Sequence, residues 1–317
     1  MYETFNLFAA IALAIFIEAM PFLVIGALFS SFIEVFVSTQ RLLGMVPKNI
    51  AGGLALGIGS GFVLPTCECG VVPIVRRLMS KGVPPYIAIA YMLAAPIVNP
   101  VVLASTYIAF RGSFSMVFAR IGLAVIVAAI VALISRQMAS VVKPLKVRSD
   151  KHDCDNPNHT HIHQHEHSHD HTHNHTHEPL GKKIVSTFRH AAVEFMDMGK
   201  YLILGALIAA AFKTFLPENA MAYFSGNLAL SIAGMMLLAI LLSICSEADA
   251  FVAASFVGFP VAAQLAFIGI GPMVDLKLIG MYGITFKRLM VVSLLVVPFI
   301  IIYLASLLIG SLDLLSF

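Results

Sequence analysis

The residues with the most chemistry in them form one run, Pro65-Thr66-Cys67-Glu68-Cys69-Gly70. Two thiols flank a carboxylate, and a proline and a glycine bracket all three. Proline withdraws a backbone donor, and glycine makes departure from helical geometry cheap. The run follows an apolar, glycine-rich stretch and precedes Arg76-Arg77. In hydrocarbon such a break survives only where protein or a water-filled cavity satisfies the freed backbone groups. The expectation is a broken helix facing a cavity, with Cys67, Glu68 and Cys69 pointing into it. Thiolates are soft ligands that suit Cu(I) and Zn(II), and trivalent arsenic is thiophilic as well.

The elements that must hold this run are membrane helices. Of 317 residues, 59% are hydrophobic and 12% charged, with mean hydropathy +0.91. Soluble domains carry roughly 25% charged residues, so the fold class is an all-α polytopic membrane protein. Met1-Tyr2-Glu3-Thr4 has no basic region, and the apolar run after it is too long for a signal-peptide core. It reads as a span that stays. Four widely spread cysteines do not make a secreted disulfide framework, and reduced thiols are expected.

About eight spans follow in order. Phe5–Val37 contains Glu18 and Glu34, and Arg41 and Lys48 mark the loop after it. Ile50–Leu64 is short, with Gly53, Gly57 and Gly61 on one helix face, a pattern that lets a neighbour pack closely. Val71–Met79 makes a short helix. Tyr86–Phe110 is broken at Pro96-Ile97-Val98-Asn99-Pro100, and Ser113–Ser135 contains Arg120. Ala191–Phe215 and Leu228–Ile244 follow, then Cys245-Ser246-Glu247-Ala248-Asp249 and a short apolar helix. A span opening at Pro260 is interrupted at Gly269–Asp275, and Met290–Ile309 is the last. Residues 1–137 and 190–317 are two membrane units, joined by a polar linker, 138–189.

The two units repeat each other. Glu18, Pro21 and Gly26-Ala27-Leu28 align with Asp197, Lys200 and Gly205-Ala206-Leu207 at an offset of 179, and Cys67 aligns with Cys245 at 178. Pro96-x-Val98-Asn99 aligns with Pro272-x-Val274-Asp275 at 176, as does Phe110 with Phe286. A nearly constant offset marks an internally duplicated transporter, whose site lies at the repeat interface among discontinuous helices. With eight spans, the basic residues favour a cytoplasmic N-terminus and a cytoplasmic linker, with Arg41, Lys48, Arg111, Lys287 and Arg288 outside. If residues 65–82 form a re-entrant hairpin instead, each half has an odd number of spans and the repeats are inverted.

The run Pro65-Thr66-Cys67-Glu68-Cys69-Gly70-Val71-Val72-Pro73, followed by Ala95-Pro96-Ile97-Val98-Asn99-Pro100, resembles the predicted-permease family. That family includes the ArsP organoarsenical efflux permeases and relatives assigned to copper and zinc efflux. The resemblance covers both halves without the linker. It implies export of a thiophilic metal or metalloid species, with the histidine-rich linker closer to the copper/zinc branch. An inner-membrane permease for a Cu/Zn-type cation, coupled to protons, is the first expectation. An organoarsenical or arsenite efflux permease and a metal-gated channel are the alternatives. An enzyme is not expected, because no His-Glu-x-x-His or Gly-x-Ser-x-Gly signature is present.

Cys67, Cys69 and the repeat-related Cys245 are the candidate thiol trio. Glu68, Glu247 and Asp249 stand at the breaks, where an ionisable group is costly and hence functional by default. Asn99 and Asp275 are candidates too, though bonding of orphan backbone groups at their own helix breaks accounts for them better. Glu68, Glu18 and Asp197 are the proton-coupling candidates. Arg120 has no repeat counterpart, the offset landing on Val296, and reads as a counter-ion for one of the acids. In the linker, His159, His161, His163, His165, His167, His169, His171, His173, His175 and His177 alternate with polar residues, after His152 and Cys154. The tract has no apolar face and is expected to be disordered. Imidazoles at this density bind Zn or Cu, so it reads as a cytoplasmic metal buffer or sensor. No resident cofactor is required. The expected partners are the substrate, the lipid bilayer and a second copy in a homodimer, with no nucleic acid.

Overall fold

A computed structural model describes residues 2–36, 39–47, 49–64, 66–141, 180–215 and 227–312. The histidine tract and Cys154 lie outside them. Thirteen helices account for the described residues. In the first half these are α1 (Tyr2–Phe36), α2 (Thr39–Met45), α3 (Ile50–Val63), α4 (Glu68–Ser80), α5 (Pro85–Val98), α6 (Pro100–Ala109) and α7 (Phe114–Val141). The second half holds α8 (Leu180–Phe215), α9 (Leu228–Leu242), α10 (Asp249–Ser255), α11 (Val261–Ile270), α12 (Leu276–Thr285) and α13 (Arg288–Ser311). Every expected span is helical. By length and hydropathy Pro85–Ala109, Phe114–Met138 and Arg288–Ser311 are able to cross a membrane, among the described residues.

The breaks at Pro96–Pro100 and Gly269–Asp275 fall where the sequence places them, and each is capped. Asn99 is extended at φ −60°, ψ 129° between α5 and α6. Its side-chain oxygen accepts from the Val101 amide at 3.0 Å, and Pro100 needs no partner as the first residue of α6. Asp275 caps α12 in the same way, accepting from the Leu278 amide at 2.6 Å. The Ser243 hydroxyl, at the end of α9, accepts from the Leu276 amide at 3.2 Å and ties two breaks together. Both Asn99 and Asp275 thus serve their own helix starts, as expected.

The status of residues 65–82 follows from the glycine stripe on α3. A side-chain carbon on Gly57 would come within 2.7 Å of the Ile87 carbonyl oxygen, and one on Gly61 within 2.6 Å of Ala95 Cα. Gly53 faces Tyr86. Later positions on α3 meet later positions on α5, so the two helices run side by side in the same direction. The chain must therefore return along α4, and residues 66–82 are the tip and returning arm of a hairpin. With 14 residues in α3 and 13 in α4, each arm is about 20 Å long. That is short of a roughly 30 Å hydrocarbon core. Ile50–Leu64 is one arm of this hairpin rather than a span of its own. The second half does the same: Gly310 touches both Leu228 and Ala262, and Gly271 approaches Ala239 at 3.9 Å. The starts of α9 and α11 lie together, and so do their ends.

Neighbours recur between the halves. α5 packs on α7 and α11 on α13, while α4 packs on α12 and α6 on α10; α1 lies along α8, and α7 along α13. Two repeat-related glycines hold the long helices against the breaks. A side-chain carbon on Gly26 of α1 would sit 2.6 Å from Gly70 Cα, and one on Gly205 of α8 would sit 2.9 Å from Lys277 Cα. Gly70 therefore lies inside α4 and serves this close approach; the change of direction occurs before it.

Candidate functional site

The hairpin tip is buried at the interface of the two halves. Cys67, Glu68 and Cys69 are 1%, 1% and 0% exposed. The Ser246 hydroxyl donates to Glu68 Oε2 at 3.2 Å, across a separation of 178 residues. That separation is the offset relating Cys67 to Cys245. Glu68 therefore touches its own repeat counterpart, which is possible only beside the pseudo-symmetry axis. The equivalent breaks of the two halves meet there.

Around this contact lies a network of buried charges. Lys277 Nζ is 3.5 Å from Glu68 Oε1 and 3.4 Å from Asp275 Oδ2. Arg120 donates to Asp249 Oδ2 at 2.6 Å, to Thr106 Oγ1 at 2.6 Å and to the Ser246 carbonyl at 3.5 Å. Ser246 thus touches both groups, with its hydroxyl on Glu68 and its carbonyl on Arg120. Two of the ion pairs also cross between halves: Lys277–Glu68 joins α12 to α4, and Arg120–Asp249 joins α7 to α10. Arg120 is the counter-ion expected from the sequence, and its acid is Asp249. Three acids and two bases share the core, and part of their hydrogen-bonding capacity is open. Glu68 Oε1, Asp249 Oδ1, Asp275 Oδ2 and Arg120 Nε have no hydrogen-bond partner.

The thiols stand beside the same network. The Lys277 ammonium is in electrostatic reach of Cys69 and Cys245. Cys245 is 2% exposed. Among the described residues no group of three His, Cys, Asp or Glu side chains is arranged to hold a metal ion. Of the three residues expected to point into a cavity, Cys67 borders one. Cys67 lines a space of about 130 Å³ with Gly26, Leu64, Thr66 and Gly70. Glu68 and Cys69 face packed protein, because Ser246 and Lys277 fill the volume next to them.

The remaining candidates are placed as follows. Asn99 is 4% exposed, and Asp249 and Asp275 are 1% and 0% exposed. Glu247 is only half-buried, although it lies between Ser246 and Asp249. Glu18 and Asp197 belong to α1 and α8, and their side chains lie outside the described residues. Lys277 is the residue that sequence reasoning passed over. Its signal was available, since a lysine inside an apolar span two residues after an intramembrane acid is a functional candidate by cost alone. Ser246 carried no such signal, because a serine next to a cysteine is ordinary until the repeat axis brings it to Glu68.

Buried helix breaks, a two-fold repeat and charges at the repeat interface define a membrane transporter. The family model described as "Predicted permease" matches residues 4–311, and the chain belongs to this family of permeases. It is a transporter family rather than an enzyme family. The chain is 40% identical over 301 residues to "UPF0718 protein YcgR" of Bacillus subtilis (strain 168), covering 95% of this chain and 96% of that protein. It is 37% identical over 302 residues to a Streptococcus mutans serotype c (strain ATCC 700610 / UA159) protein, covering 95% and 94%. That relative is named "Putative two-component membrane permease complex subunit". No solved structure matches the chain.

Proposed function

We propose that this permease exports a thiophilic metal or metalloid, a Cu/Zn-type cation first, in exchange for protons. The observation that carries the reading is the contact of Glu68 with Ser246, which puts the thiol–carboxylate tip of one half against its copy in the other. A site at a repeat interface built from broken helices is where alternating access works. Cys67, Cys69 and Cys245 supply soft ligands, and Glu68 supplies negative charge and a proton acceptor. Protonating a ligand weakens metal binding, so proton entry from outside would release the cation there. In the present packing the substrate position is closed, and loading it requires the halves to move apart. The linker histidines would gather the cation near the entrance. The name of the Streptococcus mutans relative extends the reading to a second, different subunit.

A second reading has its own support. The Lys277 ammonium in reach of Cys69 and Cys245 disfavours a cation and favours a neutral thiol-bound species such as arsenite or an organoarsenical. Flux into proteoliposomes tests the first reading. The parent should accumulate zinc or cadmium faster under an imposed proton gradient. Glu68→Gln should transport at a rate the gradient does not change. A parent indifferent to the gradient would favour the channel, and a Glu68→Gln still coupled to it would move the proton to another group, Glu18 or Asp197 next.

We also propose an orientation, which the hairpins support. On this reading α3–α4 and α9–α10 turn back, each half has three crossings and the repeats are inverted. Lys81 Nζ donates to the Ile33 carbonyl at 2.6 Å, which puts the end of α4 beside the end of α1. Arg76, Arg77, the C-terminal end of α7 and Lys287-Arg288 fall on that face, with Arg111 opposite. The positive-inside rule makes that face cytoplasmic. This reading leaves the linker on its expected side and moves the N-terminus to the outer one. A tag before Tyr2 should be cleaved by protease added to right-side-out vesicles. Protection of that tag would restore the cytoplasmic N-terminus.

A further inference from the structure

We propose that the Lys277 ammonium is a tethered counter-cation, which holds the transported cation's place at the repeat interface and leaves it when that cation binds. This rests on the cation reading above. Lys277 is the only fully buried lysine among the described residues, at 1% exposure. It bridges Glu68 of one half and Asp275 of the other at 3.5 Å and 3.4 Å. Charge-assisted hydrogen bonds of this kind are about 2.7–2.9 Å. Neither facing oxygen, Glu68 Oε1 nor Asp275 Oδ2, accepts a hydrogen bond. The ammonium therefore sits in the field of two carboxylates without being locked to either. By contrast, the Arg120–Asp249 contact is 2.6 Å and is backed by Thr106.

The backbone places the ammonium there. Lys277 is the second residue of α12, and Gly205 of α8 lies directly against its Cα. With α8 closing one side, the side chain runs toward the axis. The first half has no such device. At the offset of 176, Asp275 corresponds to Asn99 and Lys277 to Val101, and Val101 is 58% exposed. Acid and base are thus present together in one half and absent together from the other, as expected of a pair that balances its own charge.

The arrangement answers a physical problem of cation export. A site of thiols and carboxylates that releases its cation is left with buried, uncompensated negative charge, which is costly. Lys277 supplies a replacement charge on a flexible stem. Its return offsets that cost and favours release; its presence weakens the binding of a second cation. The ammonium and the cargo are alternatives at one position, so the affinity is held low enough for turnover.

The test is cadmium binding to purified full-length protein carrying Cys154→Ser, read from the thiolate–cadmium charge-transfer absorption, which histidine does not give. The parent background should bind measurably. Lys277→Met should bind at least ~10-fold more tightly, since one unit charge a few ångströms away is worth at least that factor at an intermediate dielectric. Lys277→Arg should stay near the parent. Equal affinity of Lys277→Met and parent would overturn the counter-cation, as would equal tightening by Lys277→Arg. Absence of a thiolate–cadmium signal in all three proteins would instead sink the cation reading itself. A readout that needs no variant is acylation of Lys277 in the parent, mapped by mass spectrometry. It should rise when cadmium binds, and an unchanged yield with cadmium bound would contradict displacement.

Discussion

Arg120→Met should be the most destabilising single substitution at the repeat interface, lowering stability by about 3–5 kcal/mol, the range for removing one partner of a buried ion pair. Arg120 is 0% and Asp249 1% exposed, and their contact is 2.6 Å. Removing the guanidinium leaves Asp249 with both oxygens unpartnered, because Oδ1 already accepts no hydrogen bond. It also strips Thr106 Oγ1 and the Ser246 carbonyl of their donor. Adding Asp249→Asn should recover much of the loss, since a neutral amide is far cheaper to bury than a lone carboxylate. Thermal unfolding in detergent checks this. A single variant that unfolds with the parent would mean the pair does not hold α7 to α10. A double variant no better than the single one would place the effect on packing of the long side chain rather than on charge.

Much of this arrangement was legible in the sequence. The Pro96–Pro100 and Gly269–Asp275 breaks were visible because proline and glycine mark departures from helical geometry, and Asn99 and Asp275 cap the helices that follow them. The repeat was legible as a constant offset, and it placed Cys67 opposite Cys245 before any geometry was available. Arg120 was legible as a counter-ion by its cost, but its partner was not, since Glu18, Glu68, Asp197, Glu247 and Asp249 were all candidates. The direction of residues 65–82 was beyond reach. A loop and a returning helix share the same composition there, and only the register of Gly57 and Gly61 on Ile87 and Ala95 separates them. Lys277 was obscured for a related reason. It follows a helix break closely enough to read as the solvated end of an interrupted span, whereas the contact with Glu68 depends on how the two halves dock.

Cys67→Ser and Cys69→Ser should each abolish substrate binding, with losses of 100-fold or more on the order implied by exchanging a soft thiolate for a hard hydroxyl. Cys245→Ser should weaken binding as well, because Cys245 is the repeat counterpart of Cys67 and shares the electrostatic reach of Lys277. All three thiols are buried and free of disulfides, so the substitutions remove ligands without releasing a cross-link. A hydroxyl is slightly smaller than a thiol, and the fold should survive each change. Near-parental affinity in both Cys67→Ser and Cys69→Ser would remove the tip from the substrate path.

The most direct measurement is alkylation of Cys67, Cys69 and Cys245 by a small maleimide during turnover in proteoliposomes, mapped by mass spectrometry. It would be run with zinc, cadmium, Cu(I), arsenite and a trivalent organoarsenical in turn, alongside the flux of each. The predicted result is that every species the permease moves protects Cys67 and Cys69 together, and that species it does not move leave them reactive. Sustained flux of any one species, with all three thiols alkylated as fast as in its absence, would contradict a pathway through the hairpin tip.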